Sequence, residues 1–513
     1  MRRSSPFRAL ILFGAELGAM TLSQAQNTAP NVSQVLVYST VGTGLASQSS
    51  GTTGLSRSVP AIFSEGAVPT TLQSSNFGSV ITNAANYKVA QSIVQVGNAL
   101  NASIATALSV IPLASPASGV IEKTDASGNP ILANGTLGTI FTERAETIGK
   151  NRLFIGFTHQ DYHFTELNGQ SLNNLTLLYT GGFSSSLSSN GQTLVTVPTT
   201  FRVGADVRLS QDIAFITYGL TNRLDVSVGL PLVHAAVAAR TYDGQIWAGN
   251  GVGTPTCWCA DTFTPGAPTL YEPQIGQSSF SKTGFGDLLL RMKGTVIERQ
   301  NLALAVGGDV RFPTGDASNY LGTGTTSVKP FMALSVYTRP LANGIIFAPH
   351  INLGWQFSGK SILGGTLSGT NTNITLADGS TFTYVSAPFT STKGYLPDVF
   401  NWAVGSEIAF GKRFTLVADV LGNQIGWIHG VPNTMTESIA NQYPPAPPNS
   451  LAPASASGLV SAGKVSYGEY NGAFGSKARI VGNLVLTFNA LVRFDNNGLT
   501  ARFAPLYGLG YSF

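Results

Sequence analysis

The sequence has little charge for its length. Only 11% of its 513 residues are Asp, Glu, Lys or Arg, whereas an average soluble domain carries about 25%. The formal net charge is only +4, and no long run of Lys or Arg indicates a nucleic-acid partner. The chain therefore has fewer charged residues than the surface of a soluble protein normally needs to be well solvated.

Long hydrophobic runs are also missing, although 43% of the residues are hydrophobic. No stretch approaches the roughly 18 consecutive apolar residues of a membrane helix. Apolar bulk without such a run leaves two classes: a large soluble all-β protein, or a membrane β-barrel, which satisfies every backbone group in lipid. The 58 glycines favour an all-β chain with many tight turns.

Cysteine is scarce, since Cys257 and Cys259 are the only two and stand one residue apart. In an exported protein they could form a disulfide, although a bridge across this spacing would be strained. A metal site would need further ligands, and none lie nearby in the sequence. We therefore interpret the pair as a loop feature and predict no metal and no cofactor.

Motifs for catalysis are lacking as well. There is no G-x-S-x-G nucleophile elbow and no H-E-x-x-H zinc motif. Residues 354–361 match a phosphate-loop pattern, but they lie in an alternating strand pattern instead of joining a strand to a helix. The sequence therefore predicts no catalytic residue and no enzyme. A barrel lipase or protease that depends on a histidine is kept as an alternative hypothesis.

The N-terminus has the pattern of a secretory signal peptide over residues 1–25. Three arginines precede a short apolar region, and an acceptable small-residue cleavage site ends at Ala25. Residues 26–150 form a low-complexity segment rich in Ser, Thr, Gly, Ala and Asn. Within it, residues 88–111 have apolar side chains at helical spacing, which predicts a short helix.

From residue 151 onward, apolar and polar residues alternate. In residues 201–209 the apolar side chains occupy every odd position, and Arg202, Asp206 and Arg208 occupy even ones. Such alternation predicts strands with one apolar and one polar face. The predicted strands are about 151–164, 200–218, 224–240, 283–297, 301–313, 326–340, 345–358, 398–410, 413–424, 466–480, 484–494 and 499–513. Prolines 231, 330 and 349 fall inside these strands, so each is expected to mark a bulge or a strand end.

The connections between the predicted strands alternate in length. Short turns such as 219–223 and 298–300 alternate with long loops such as 241–282 and 425–465. Outer-membrane barrels combine short periplasmic turns with long external loops. The sequence therefore predicts an all-β fold, a transmembrane antiparallel β-barrel of about 12 strands over residues 151–513. The segment 26–150 is expected to plug the barrel or to cap its periplasmic end.

The last predicted strand ends in Phe513. Aromatic and apolar residues occupy every second position before it. This pattern resembles the assembly signal of bacterial outer-membrane proteins, which implies recognition by the barrel-assembly machinery.

Four segments carry a family resemblance. They are YGLTNRLDVSVGLPLV at 218–233, GFGDLLLRMK at 284–293, VRFPTGD at 310–316 and NNGLTARFAPLYGLGYSF at 496–513. Together they resemble the meta-pathway phenol-degradation family of outer-membrane proteins, which is similar to barrels of the fatty-acid-transporter type. The resemblance covers about residues 150–513. It implies a role in moving hydrophobic or aromatic compounds across the outer membrane.

The alternation also predicts which charged side chains face the barrel interior. On the lipid face, an Arg or Lys at mid-membrane costs about 2–4 kcal/mol. The predicted inward set is Arg202, Asp206, Arg208, Asp225, Asp287, Arg291, Lys293, Asp309, Arg311, Lys329, Glu407, Asp419, Arg493 and Arg502. These residues either pair with one another and brace the wall, or line a permeation path. Glu143, Arg144 and Glu146, just before the first strand, are candidates to pair with them.

Aromatic residues near the strand ends predict two girdles at the membrane interfaces. Those near the external ends are Trp355, Phe357, Phe400 and Trp402, and those near the periplasmic ends are Phe410, Phe414, Tyr511 and Phe513.

These features predict an outer-membrane channel or transporter for small hydrophobic or aromatic molecules. The alternative is a structural or surface-interaction protein whose external loops bind partners. The expected partners are outer-membrane lipid, the barrel-assembly machinery and a small-molecule solute.

Overall fold

The computed structural model describes residues 79–82, 100–115, 122–124, 130–132, 136–179, 199–243, 247–250, 254–257, 274–299, 301–338, 340–341, 344–367, 370–375, 381–426, 434–438, 459–463 and 466–513. The predicted signal peptide, the first half of the predicted helix and Cys259 lie outside these residues. Within them, no helix has both the length and the apolar character needed to cross a membrane.

Twelve long antiparallel strands form a closed barrel. They are β1 (Leu153–Phe164), β2 (Thr199–Thr221), β3 (Leu224–Asp243), β4 (Gln274–Phe285, continuing as Leu288–Arg299), β5 (Leu302–Phe312), β6 (Ser327–Val336), β7 (Ile345–Ser358), β8 (Val399–Phe410), β9 (Phe414–Ile425), β10 (Tyr467–Val481), β11 (Leu484–Arg493) and β12 (Phe503–Ser512). Each strand pairs with the next, and β12 pairs with β1, which closes the sheet. The prediction of a 12-stranded antiparallel barrel is confirmed.

Shorter elements lie before the barrel and in its connections. The strands outside the barrel wall, most of them short, are Ser79–Thr82, Glu122–Thr124, Pro130–Leu132, Glu166–Leu167, Gln170–Ser171, Leu175–Tyr179, Trp247–Asn250, Thr254–Cys257, Lys360–Leu367, Thr370–Thr375, Thr381–Tyr395, Thr434–Ser438, Leu459–Gly463 and Leu499–Thr500. Residues 100–110 form an α-helix, α1. Leu172–Asn174 and Ala317–Asn319 are single turns of 3-10 helix.

The three prolines inside the strands stand where strand pairing is interrupted. Opposite Pro231, β4 breaks after Phe285 and resumes pairing with β3 at Leu289. The β6–β7 ladder has a gap at Pro330, and it ends next to Pro349. Proline has no N–H to donate to a ladder, so it is tolerated at such breaks.

The two faces of the barrel wall differ in chemistry. Phe157, Met292, Val306 and Phe488 lie on four different strands and point outward, each between 46% and 59% exposed. Along each strand, the side chains that alternate with these outward residues point inward. Many of them are buried polar or charged groups. This distribution places apolar groups outside and charge inside.

Two stretches preceding β1 lie inside the barrel. Residues 100–115 and 136–149, which we call the luminal segment, are almost entirely buried. Leu100, Ile104 and Ala107 of α1 belong to one apolar cluster with Val207 and Leu209 of β2. The interior therefore has an apolar region around α1 and a charged region around residues 136–149.

Candidate functional site

The charged region is centred on Arg144 of the luminal segment and Glu407 of β8. The guanidinium donates two hydrogen bonds to the carboxylate, with Nε–Oε1 at 3.0 Å and Nη2–Oε2 at 2.5 Å. Each side chain is 2% exposed. Glu407 also accepts from the backbone N–H of Gly138 at 3.2 Å and from the Thr136 hydroxyl. Paired N–H donors fix both the position and the orientation of an Arg–carboxylate pair.

A second group of charges connects Glu143 to the wall. Glu143 pairs with Arg291 and, at 3.3 Å, with Lys293, both on β4. Arg291 in turn donates two hydrogen bonds to Asp309 of β5, at 2.6 and 2.7 Å. Lys329 of β6 lies 3.1 Å from the same carboxylate. Three adjacent strands thus share one network with the luminal segment.

The backbone of the luminal segment also bonds to wall side chains. The Ala145 N–H donates to Ser335 Oγ at 3.0 Å, and the Ala145 carbonyl accepts from Thr295 Oγ1 at 2.6 Å. The Ile148 N–H donates to Asp225 Oδ2 at 2.9 Å. Backbone groups away from water require such partners. Wall side chains therefore supply the hydrogen-bond partners that a neighbouring strand would otherwise give to the backbone of this segment.

His350 of β7 and Asp419 of β9 form a buried pair that also contacts the segment. The distance from His350 Nε2 to Asp419 Oδ1 is 2.9 Å, and the distance to Thr142 Oγ1 is also 2.9 Å. Both contacts use one ring nitrogen, whereas a catalytic triad places the carboxylate on the other nitrogen. This geometry therefore holds the segment in place and lacks the relay of a triad.

Most of the predicted inward residues lie inside the barrel or at its buried external end. Asp225, Asp287, Arg291, Lys293, Asp309 and Arg311, together with Glu407, Asp419 and Arg493, face the interior, and Lys329 does so with 30% of its side chain exposed. Asp287, at the break in β4, accepts from the N–H groups of Gly315 and Thr323. A role in permeation for these residues stays a prediction.

Two residues of β2 face outward, contrary to expectation. The side chains of Asp206 and Arg208 are 40% and 60% exposed, and they pair with each other at 3.1 Å. The predicted alternation is present, but its polar face points out of the barrel, because Val207 and Leu209 pack on α1 inside it. Apolar partners within the lumen reverse the usual rule of polar residues inside.

The two other arginines of the predicted set do not lie in the lumen. Arg502 is 43% exposed, just before β12, and pairs with Glu166 at 2.6 Å. It therefore lies at the external rim. The side chain of Arg202 falls outside the described residues.

Lys477 of β10 is a luminal residue absent from the predicted set. It is 1% exposed, and its ammonium group donates to the carbonyls of Leu137 and Thr139. Its odd-numbered position on β10, shared with the inward Glu469, is the signal that would have found it.

The predicted girdle residues lie on the outer face at the strand ends. At the external end, the Trp355 ring stands 5.7 Å from Phe400 and 6.4 Å from Phe357, and Trp402 packs 6.2 Å from Tyr470. At the other end, the rings of Phe410 and Phe414 are 6.1 Å apart, and those of Tyr511 and Phe513 are 4.7 Å apart. Their function as membrane anchors stays a prediction.

A closed antiparallel barrel with an apolar exterior and a charged interior defines an outer-membrane β-barrel protein, because strands can span lipid only when no edge is left open. Residues 184–396 match the model of the family described as "Putative MetA-pathway of phenol degradation". This match confirms the family resemblance found in the sequence.

Several solved structures are similar to the chain. An outer membrane channel from Pseudomonas putida F1 has 11% identity and a TM-score of 0.35, over 72% of this chain and 99% of that chain. A FadL homologue from Pseudomonas aeruginosa has 10% identity and a TM-score of 0.25, over 71% and 89%. The translocator domain of the autotransporter NalP from Neisseria meningitidis has 10% identity and a TM-score of 0.28, over 71% and 89%. A comparison with curated proteins found no match.

Proposed function

We propose that this outer-membrane barrel is a channel or transporter for small hydrophobic or aromatic molecules, and that the luminal segment closes its lumen until that segment moves. The observation that carries the proposal is the charged contact between the segment and the wall, centred on Arg144 and Glu407. The family match supports the class of solute.

The chemistry of this contact favours a luminal segment that can leave the barrel interior. A buried ion pair is often no more stabilising than apolar residues of the same volume. A segment that stayed in the lumen permanently would therefore gain little stability from charged contacts. Water can solvate the charges on both sides once the segment leaves. The wall would also keep its own pairing, because Asp309 binds Arg291 and Lys329 without the segment.

A disulfide lock tests this proposal. The Ala145 N–H lies 3.0 Å from Ser335 Oγ, which brings their Cα atoms within reach of a disulfide. We would introduce Ala145→Cys and Ser335→Cys into a chain carrying Cys257→Ser and Cys259→Ser. We expect uptake of radiolabelled toluene by porin-deficient Gram-negative cells to be low when the bridge is oxidised and to recover on reduction.

The single Ala145→Cys variant, treated with the same reductant, is the matched control. Equal uptake with and without the bridge would contradict gating by the luminal segment. No uptake by any variant would favour the alternative, a structural or surface-interaction protein.

We also propose that Phe513 directs assembly through the barrel-assembly machinery. Its side chain is 64% exposed and packs on the ring of Tyr511 at the outer face, so it takes no part in the packing of the barrel interior. Phe513→Asn should lower the amount of barrel recovered from the outer membrane while leaving the Tm of that barrel nearly unchanged. Phe503→Asn, at a residue of β12 that is 57% exposed, is the control. Equal recovery of both variants would count against the proposal.

A further inference from the structure

A cavity of about 130 Å³ lies between the luminal segment and the barrel wall. Its lining includes Ile111 and Phe141 of the segment and Arg311, Lys329, Phe331 and Leu421 of the wall. The wall residues that line it lie in the halves of β5, β8 and β9 nearer the long connections. The cavity is therefore on the external side of the Arg144–Glu407 pair.

The charges around this cavity are unequal. Three cations line it, Arg291, Arg311 and Lys329, against the two carboxylates of Glu143 and Asp309. Both carboxylates are already engaged. Asp309 holds Arg291 and Lys329, and Glu143 holds Arg291 together with Lys293. The excess positive charge therefore resides on Arg311.

Arg311 is half-buried and has few partners for its guanidinium. It donates one hydrogen bond from Nη1 to the Leu108 carbonyl at 2.9 Å, and it forms no ion pair within the described part of the chain. The Asp287 carboxylate accepts from the N–H groups of Gly315 and Thr323, at 3.1 and 2.7 Å, and it acts on Arg311 only through space, without a direct ion pair. With this one hydrogen bond among the described residues, the guanidinium keeps other N–H donors, and an anion in the cavity would accept from them.

We propose that this cavity binds a small aromatic carboxylate, with its carboxylate on Arg311 and its ring against Phe141, Phe331 and Leu421. Guanidinium groups favour carboxylates because two N–H donors match the two oxygens. A protein cavity of about 150 Å³ holds one benzene molecule, and this partly open cavity of about 130 Å³ admits one ring and no larger ring system. This inference rests on the proposed function and adds aromatic acids to its class of hydrophobic and aromatic solutes.

Calorimetric titration of the purified full-length protein with benzoate and with neutral benzamide tests the site. We expect saturable benzoate binding and weaker benzamide binding. Arg311→Gln should weaken benzoate binding about tenfold or more, as expected for a charge-assisted hydrogen bond, and should leave benzamide binding unchanged. Arg208→Gln, which removes an outward-facing arginine, should bind benzoate as the natural chain does.

Two results would overturn the inference: equal affinity of the natural protein for benzoate and benzamide, or unchanged benzoate affinity in Arg311→Gln. If Arg311→Gln does not fold, the benzoate–benzamide comparison on the natural chain decides, with Arg311→Lys expected to retain part of the preference.

Toluene uptake, measured in parallel, separates this inference from the proposed function. Toluene uptake without benzoate binding would reject the anion site alone. Benzoate binding without uptake of any solute would keep the site and reject the channel.

Discussion

Among single residues, the charges inside the barrel are held by specific partners. Arg144 and Glu407 are each 2% exposed and share two hydrogen bonds. Removing one member of such a pair leaves the other buried and uncompensated, which costs about 3–5 kcal/mol. The pair is therefore sensitive to the loss of either charge.

Glu407→Gln should lower the free energy of unfolding by about 3–5 kcal/mol, because Arg144 then lacks a counter-ion. Urea unfolding of the protein in detergent measures this change. Glu166→Gln is the matched control, since Glu166 pairs with a 43% exposed arginine at the rim and should cost less than about 1 kcal/mol. Equal losses in both variants would contradict a special role for the Arg144–Glu407 pair.

Asp206 and Asp309 show how much the alternation of apolar and polar residues can predict about the direction of a single side chain. Both stand at polar positions of alternating strands, yet one faces out and the other in. The sequence of a strand establishes that two faces exist. Which face points inward depends on what fills the lumen at that height. Beside β2 the lumen is filled by α1, which comes from a distant part of the chain, so the sequence of the strand alone does not decide it.

For whole strands, the sequence was informative. Strand β7 occupies the predicted residues 345–358, and most other strands begin and end within a few residues of the prediction. Alternation and turn residues are local signals, so a single sequence carries them. Strand β4 is the exception, because it begins at Gln274 and breaks opposite Pro231, where the partner strand decides the pairing.

Glycines on the two faces of the wall provide a test for the strand packing. A Cβ at Gly405 of β8 would overlap the Asp419 carboxylate and approach the Ala418 carbonyl oxygen to 2.7 Å. Gly405→Ala should therefore displace Asp419 from His350 and cost about 1–3 kcal/mol.

Gly308→Ala in β5 is the control, since a Cβ there meets nothing within 4 Å. It should be neutral or stabilising by up to about 1 kcal/mol. Thermal unfolding of both variants gives the comparison, and a loss at Gly308 as large as that at Gly405 would show that the inner-face contact is not the cause.

Across the whole molecule, the luminal segment joins strands that are distant in sequence. Its contacts reach β3 through Asp225, β4 through Lys293 and β8 through Glu407. The segment precedes all twelve strands in the chain, so each of these contacts joins residues that are far apart in sequence.

Deletion of residues 26–149 should raise the ion conductance of the protein in planar bilayers, because water then replaces the luminal segment. The full chain should conduct little under the same conditions. Conductance that is the same with and without these residues would contradict closure by the segment. Silence in both would favour the surface-interaction alternative or a path that ion current does not detect.

The sequence by itself determined the fold class, the number of strands, their positions and the charged residues available to the interior. It could do so because alternation and turn composition are properties of neighbouring residues. Only the tertiary structure decided that Arg144 meets Glu407, that Asp206 turns outward and that Arg311 lines a cavity beside the luminal segment. These outcomes depend on strands and a segment far apart in the chain, whose relative heights are set by closure of the barrel.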